Sequence, residues 1–414
     1  MTELAKNNNK QPQLQRSIGF ALLVLYGMGT MVGAGFYALS GKVAGIAGLY
    51  APVAFGLAGL LALFSALAFA ELSSRLPHAG GSARYVEEAF GKRWFSALVG
   101  WLIIVTGVVS AATLMVATIS FLNDFIVLPK EPAIVAVTLI LGAIAVWGVN
   151  QAVGTVVVIS IIQIATLLYV VIGTMTMPET PSYEWIEFVP PMESSAWLGI
   201  FTAVFLAFYA FIGFEDMVTM AEEVKDVRRT LPRALVVSLV LTALLYIIVS
   251  LALVLSIPLD VLAEANTPLA EPIRHHGTWA IAIIGIVSIL SVVNSGLVQI
   301  VMAARVAYGM ADRGYAPAIF SRVNERTKTP WLATILATLV VAILAVSFEL
   351  TTLANATSVV LLFVFALINM GLWWLKRNPD DDQTGGTFRI PRWIPLIGAV
   401  ISIAALVFKA LTSF

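Results

Sequence analysis

YGMGTMVGAGF (residues 26–36) and FLAFYAFIGFEDM (205–217) are the two stretches on which the fold of this chain turns. The first sets Gly27, Gly29, Gly33 and Gly35 within one apolar run, and each glycine costs a helix interior about 1 kcal/mol relative to alanine. The second ends an equally apolar run with Gly213, Glu215 and Asp216. Both invite a local opening of the backbone. Small residues at helical spacing also permit close helix packing, and the glycines alone do not separate these two readings.

The surrounding chain supplies the setting. Its 414 residues are 59% hydrophobic and 12% charged, with mean hydropathy +0.93, whereas soluble domains carry roughly 25% charged residues. A bilayer-crossing helix needs roughly 20 apolar residues. Eleven runs qualify, at about 18–43, 48–73, 94–122, 132–149, 153–177, 196–222, 232–257, 277–304, 330–347, 352–376 and 393–412. With residues 1–17 as a cytoplasmic tail, all of the 24 Lys and Arg except Lys42, Lys130, Arg274 and Lys409 fall inside. A miscounted span would scramble that asymmetry. The expectation is an all-α protein of a cytoplasmic-type membrane, N-terminus inside, C-terminus outside, its first span retained and not cleaved as a signal peptide.

Other classes are disfavoured. A net charge of zero gives no field to recruit nucleic acid. The absence of cysteine excludes disulfides and thiol chemistry. His78, His275 and His276 are too few and too badly spaced to suggest a metal centre, and no HExxH or GxSxG lies within a span, so no enzyme, resident metal or cofactor is expected. The stretch 178–195, with Glu179, Glu184, Glu187 and Glu193, suits an exterior loop, and Asp380–Asp382 with Gly385–Gly386 suits a solvated one. Trp373 and Trp374 beside Lys376 and Arg377 look like an interfacial anchor.

Residues 18–177 hold five spans and 196–376 the next five, with 393–414 an additional helix. An odd number of spans per half inverts the second half relative to the first. The first and sixth spans are then equivalents, and they are the two interrupted ones, which is the sequence pointer to a transporter's midplane site. Bare N–H groups at a half-helix N-terminus suit an anion, and freed carbonyls suit an ammonium or a metal cation. An acidic side chain at the centre of a span costs about 2.5–3.5 kcal/mol to insert. Burial penalises its charged form, so Glu215 is the expected proton-coupling group. If the sixth span ends early, Glu215 and Asp216 join Glu222, Glu223 and Lys225 in water instead.

Four segments in this order resemble the amino acid–polyamine–organocation transporters: GTMVGAGFYALSGKVAG (29–45), FAELSSRLPHAGGSARYVEEAFG (69–91), FIGFEDMVTMAEEVKDVRRTLPRA (211–234) and MAARVAYGMADRG (302–314). The resemblance covers nearly the whole chain and implies a fold of two inverted five-helix repeats with helices 1 and 6 discontinuous. It implies that a substrate α-carboxylate meets the N–H groups of Gly33, Ala34 and Gly35. The α-ammonium would meet carbonyls of Met31, Tyr209, Ala210 and Ile212, with Tyr209 as the gating aromatic and Glu215 as the proton-linked glutamate. A pocket of Met31, Phe208, Tyr209 and Ile212 would favour apolar or small neutral side chains. A candidate cation site is formed by the Gly29 and Val32 carbonyls with Ser291, Asn294 or Ser295, with H+ the more expected coupling ion than Na+.

Departures from the family pattern stand beside these matches. Gapless matching sets Tyr169 where several proton-coupled relatives carry a lysine, Val227 stands where many have proline, and eleven spans replace the frequent twelve. The expected activity is amino acid movement by alternating access, through symport or exchange. A cationic amine or polyamine exchanger and a non-transporting amino acid sensor remain as alternatives. Substrate identity, direction and oligomeric state are open at this point.

Overall fold

A computed structural model describes residues 16–76, 81–148, 153–177, 183–324, 326–377 and 388–412. Most of the N-terminal tail, His78 and the stretch 380–386 lie outside those residues. The helices are α1 (Phe20–Met31), α2 (Ala34–Ala47), α3 (Ala51–Arg75), α4 (Gly81–Phe90), α5 (Arg93–Leu122), α6 (Lys130–Trp147) and α7 (Val153–Met175). The second half holds α8 (Ser194–Tyr209), α9 (Val227–Ser256), α10 (Leu259–Glu264), α11 (Thr278–Asp312), α12 (Trp331–Ser347), α13 (Leu350–Leu375) and α14 (Trp393–Thr412). Among the described residues nine helical stretches are long and apolar enough to cross a membrane; the first, Gly35–Arg75, turns at Gly48–Tyr50. The apolar α1 and α12 are shorter.

The burial pattern reverses that of a soluble protein. On α7 the buried face carries Ser160, Gln163 and Thr166, whereas Val158, Ile161, Ile162, Leu168 and Ile172 are exposed. On α12 Ile335, Leu336, Leu339, Val340 and Ile343 are likewise exposed. Apolar stripes of this length mark a membrane-facing surface. Polar side chains turn inward because only there do they find hydrogen-bond partners. Thus the Gln163 amide donates to Ser291 Oγ at 2.8 Å, and Tyr37 Oη donates to the Gln163 carbonyl at 2.9 Å.

Helix pairing follows a regular scheme. α3 packs along α9, α5 along α11 and α6 along α12, while α2 lies against α8. Glu71, which the sequence places only near the end of its span, is fully buried. It pairs with Arg75 and, at 2.7 Å, with Lys376 beyond α13, and accepts the Ile390 N–H at 2.9 Å. This knot ties α3 to the approach of α14. Two opposite charges and a backbone donor satisfy the carboxylate, and loss of one partner from a buried pair costs about 3–5 kcal/mol.

The start of α1 is stapled to the chain beyond α8. The N–H groups of Ser17 and Ile18 donate to the Glu223 carbonyl at 3.0 Å each, and Lys225 N–H donates to the Ile18 carbonyl at 2.9 Å. Val227 is the first residue of α9, a position whose N–H has no helical partner and where proline is tolerated equally well.

Candidate functional site

α1 stops at Met31 and α2 starts at Ala34, leaving Val32 and Gly33 outside both helices. The first N–H groups of α2, those of Ala34, Gly35 and Phe36, have no carbonyl one turn earlier in their own helix. α8 stops at Tyr209, and a 3-10 helix runs from Phe214 to Met220. Between them the break is tighter than an open strand. Ala210, Phe211 and Ile212 each donate to the carbonyl three residues back, at 3.0, 3.0 and 3.2 Å. The chain then turns at Gly213, whose φ of +122° suits only glycine.

The two breaks touch. A Cβ on Gly35 would lie 2.7 Å from Ala210 Cα, and one on Gly213 would lie 2.6 Å from the Thr30 carbonyl oxygen. Thr30 Oγ1 lies within hydrogen-bond distance of both the Gly27 carbonyl, at 2.9 Å, and the Gly213 carbonyl, at 3.1 Å. Tyr246 on α9 bridges the pair from the other side: its hydroxyl lies 2.7 Å from the Met31 carbonyl and 3.0 Å from the Ala210 carbonyl. Its ring stacks on Phe36 at 4.2 Å. Two carbonyls expected from the sequence to await an ammonium are thus already engaged by a tyrosine. Each keeps a second lone pair for a ligand. The Tyr209 carbonyl takes the Ile212 N–H. A lone tyrosine inside the apolar run LLYII (244–248) was the signal for Tyr246, since a buried hydroxyl needs a partner.

Tyr246→Phe removes the bridge and leaves the ring. The expected result is about a tenfold fall in uptake per folded protein, as for the loss of a buried hydrogen bond worth about 1–3 kcal/mol. Radiolabelled uptake in proteoliposomes checks it, and an unchanged rate would exclude the bridge from the working site.

Two cavities meet at these breaks. A small one of about 30 Å³ is lined by Thr30, Met31, Gly35, Ser110, Leu114, Tyr209, Ile212, Ser295 and Gln299. A larger one of about 350 Å³ lies towards the C-terminal end of α11 and includes Glu215, Asp216, Arg305 and Arg313. Ile212 and Gln299 line both and so form the partition. The small cavity holds about the volume of one water molecule. A third cavity of about 200 Å³, with Lys42, Lys130 and Glu349, begins one turn further along α2 and α5, at Ala38 and Ala117.

Of the sequence-predicted residues, Met31, Gly35, Tyr209 and Ile212 come together at the small cavity, with Ala210 in backbone contact. Gly33 faces Ser295, whose Oγ would lie 2.6 Å from a Cβ there. Ala34 opens α2 between them. Phe208 does not line the cavity; its ring packs edge-on against Phe365 at 6.0 Å, one helical step away from the Tyr209 side. Tyr209 is tethered to α5 by a hydrogen bond between its hydroxyl and Ser110 Oγ at 2.9 Å. Glu215 is half-buried and accepts the Gly213 N–H at 2.9 Å.

Of the candidate cation set, Ser295 Oγ and the Gly29 carbonyl oxygen lie beside the same point, 2.6 and 3.9 Å from a Cβ on Gly33. Ser291 Oγ takes the Gln163 amide, and a Cβ on Gly29 would meet Ser160 Oγ. Asn294 is half-buried, and Val32 donates its N–H to the Met28 carbonyl at 2.6 Å. The Tyr169 hydroxyl bonds His276 at 2.7 Å, and the α7 residue beside Gly29 at the first break is Ser160. In a uniformly apolar helix nothing in the sequence fixes register. Thr30, Ser110, Gln299 and Gln163 were missed for a related reason. A polar residue in an apolar span announces a partner without naming it.

This is a polytopic helical membrane protein with two half-helix breaks packed against each other within its core. The chain belongs to the amino acid permease family, whose model matches residues 18–413. It is 28% identical over 404 residues to cationic amino acid transporter 3 of Arabidopsis thaliana, covering 92% of this chain and 65% of that protein. It is 26% identical over 407 residues to a branched-chain amino acid permease of Bacillus subtilis, covering 92% and 85%. It is 27% identical over 388 residues to human cationic amino acid transporter 4, covering 88% and 60%. The chain therefore spans less than two thirds of the length of the plant and human proteins.

Proposed function

We propose that the chain is a secondary active transporter that moves amino acids across a cytoplasmic-type membrane by alternating access. The observation that carries this is the contact of the two breaks: the Gly35 Cα faces Ala210, the first N–H groups of α2 lack helical partners, and the Met31 and Ala210 carbonyls are close enough for one tyrosine hydroxyl to reach both. Donors for a carboxylate and acceptors for an ammonium lie side by side, as a zwitterion requires.

Counting α1 with α2 as one interrupted span and α8 with Phe214–Met220 as another gives eleven spans in this reading. The packing of α3 on α9, α5 on α11 and α6 on α12 supports two inverted repeats, 18–177 and 196–376, because in that count each pair joins spans five places apart. The inside N-terminus rests on the Lys and Arg distribution. The three cavities lie in series, and the small one between the larger two is too tight for an amino acid. A cycle that opens it to one side at a time follows.

The substrate reading favours apolar or small neutral side chains. Met31, Leu114 and Ile212 line the small cavity with Ser110, Ser295 and Gln299, and among the described residues no acidic side chain does. Glu215 and Asp216 lie beyond the partition, where Arg305 and Arg313 balance them. Among the relatives, the Bacillus name fits this choice and the plant and human names fit the cationic alternative. A thermal-shift screen of twenty amino acids and several polyamines, at two pH values with and without sodium, tests it. Neutral amino acids are expected to raise the melting temperature and to accelerate counterflow of labelled substrate. Stabilisation without counterflow would identify a sensor, and stabilisation by polyamines alone would overturn the neutral assignment.

A further inference from the structure

His275 and His276 close the 3-10 segment Pro268–His276, directly before α11 and at the opposite end of that helix from the large cavity. Their ring centroids are 4.2 Å apart. Both Nε2 atoms lie 3.0 Å from one oxygen, Thr176 Oγ1, just past the end of α7. Thr176 has one hydroxyl proton, and its Oγ1 donates to the Gly173 carbonyl at 2.9 Å. It therefore accepts from both rings, which makes both imidazoles Nε2–H tautomers. His276 Nδ1 then accepts the Tyr169 hydroxyl proton at 2.7 Å.

We propose that His275 and His276 form a binding site for a divalent first-row transition-metal ion, with zinc as the reference ion, that ties the end of α7 to the start of α11. Two imidazole nitrogens converging on one point are the donor set such ions favour. With its proton moved to Nδ1, His276 donates to Tyr169 Oη and presents the Nε2 lone pair. The same tautomer shift in His275 presents the second. The ion takes the place of the two N–H bonds on Thr176, at about 2.0–2.1 Å from each nitrogen, with water completing its tetrahedron. Tyr169 then holds the ring and tautomer of a ligand from behind, the role outer-shell partners play in metal sites.

The surroundings admit a cation. Arg274 is paired by Glu271 at 2.5 and 2.7 Å, and Asp124 is the other acidic group near it. His275 is exposed, so an ion reaches it without unfolding. No cluster of three or more His, Cys, Asp or Glu suited to a metal occurs among the described residues, so the site is one for an exchangeable ion. On the carrier reading above, a bound ion slows the cycle, because α7 packs on α1 and α11 lines the partition through Gln299.

Calorimetric titration of zinc into the full-length protein, freed of any polyhistidine tag, tests the site without reference to transport. One ion per chain is expected, with at least a tenfold weaker affinity in H275A and in H276A and a several-fold weaker one in Y169F, each variant melting as the parent does without zinc. No zinc binding by the parent, or equal binding by the H275A/H276A double variant, overturns the site. Zinc is expected to slow counterflow in the parent and not in the double variant. Zinc binding with unchanged counterflow overturns the clamp, and a parent that binds zinc but exchanges nothing overturns the carrier reading while the site stands.

Discussion

Gly35→Val yields a folded protein that no longer moves substrate. The Gly35 Cα faces the backbone of Ala210, and even a methyl group would sit 2.7 Å from Ala210 Cα, 3.2 Å from its nitrogen and 3.2 Å from Tyr209 Cδ1. Two of those three atoms are backbone, so no side-chain rotation relieves the clash. The α2 start must back away from the sixth-span break, which pulls its N–H groups out of the position they hold against Ala210. Overpacking of this kind costs about 1–3 kcal/mol, which a chain with this much buried surface survives. Function suffers more, since a shift of about 1 Å in a positioned site costs on the order of 100-fold. The measurement is initial uptake per folded protein, with melting temperature and gel filtration as the folding readouts. Gly19→Ala is the control, because a Cβ there meets nothing within 4 Å. Parent-like uptake by Gly35→Val would remove the first break from the site.

The parts of this site that were legible in the sequence share one property: they are backbone features signalled by local composition. Glycines crowded into an apolar run cost too much to be helix filler, and they placed the break at Val32–Gly33 within a residue or two. Gly213 marked the second break, although its hydrogen-bonded 3-10 form was not foreseen, since only the tertiary fold sets how far a helix unwinds. The illegible parts are contacts between side chains far apart in the chain. Tyr246 reaches Met31, Gln163 reaches Ser291 and Glu71 reaches Lys376 and Ile390 across 128 residues or more in each of the last two pairs and 215 in the first. Each announced itself as a polar residue where none is comfortable. Nothing local said which helix would satisfy it. Phe208 shows the same limit in one step: Tyr209 faces the cavity, and the preceding residue, about 100° round the helix, faces Phe365.

Glu215→Gln flattens the pH dependence of transport while leaving the fold and substrate binding in place. The carboxylate accepts the Gly213 N–H at 2.9 Å, in the turn that ends the sixth-span break, and its other surroundings are the large cavity with Asp216, Arg305 and Arg313. It therefore lies between the Gly213 turn and the large cavity, where a proton-coupling group would stand on the carrier reading. Glutamine keeps the size and the oxygen that accepts the Gly213 N–H, so the break retains its shape; only the ability to gain and lose a charge is removed. On the limb where the carboxyl titrates, the parent's uptake is expected to change by up to about tenfold per pH unit, and the variant's by less than about twofold. The sign follows from coupling: if the protonated carboxyl accompanies substrate inward, parent uptake rises as the outside is acidified, and the permanently neutral variant stays on the plateau. Counterflow, which needs no net proton movement, persists in Glu215→Gln while accumulation driven by a pH gradient is lost. Asp216→Asn separates the neighbours, because among the described hydrogen bonds the Gly213 N–H goes to Glu215 and only the backbone N–H of Asp216 reaches Gly213, at its carbonyl, so this variant should keep the parent's profile. A parent-like profile in Glu215→Gln together with a flat one in Asp216→Asn would transfer the coupling role to Asp216, and parent-like profiles in both would place the proton path elsewhere in the protein.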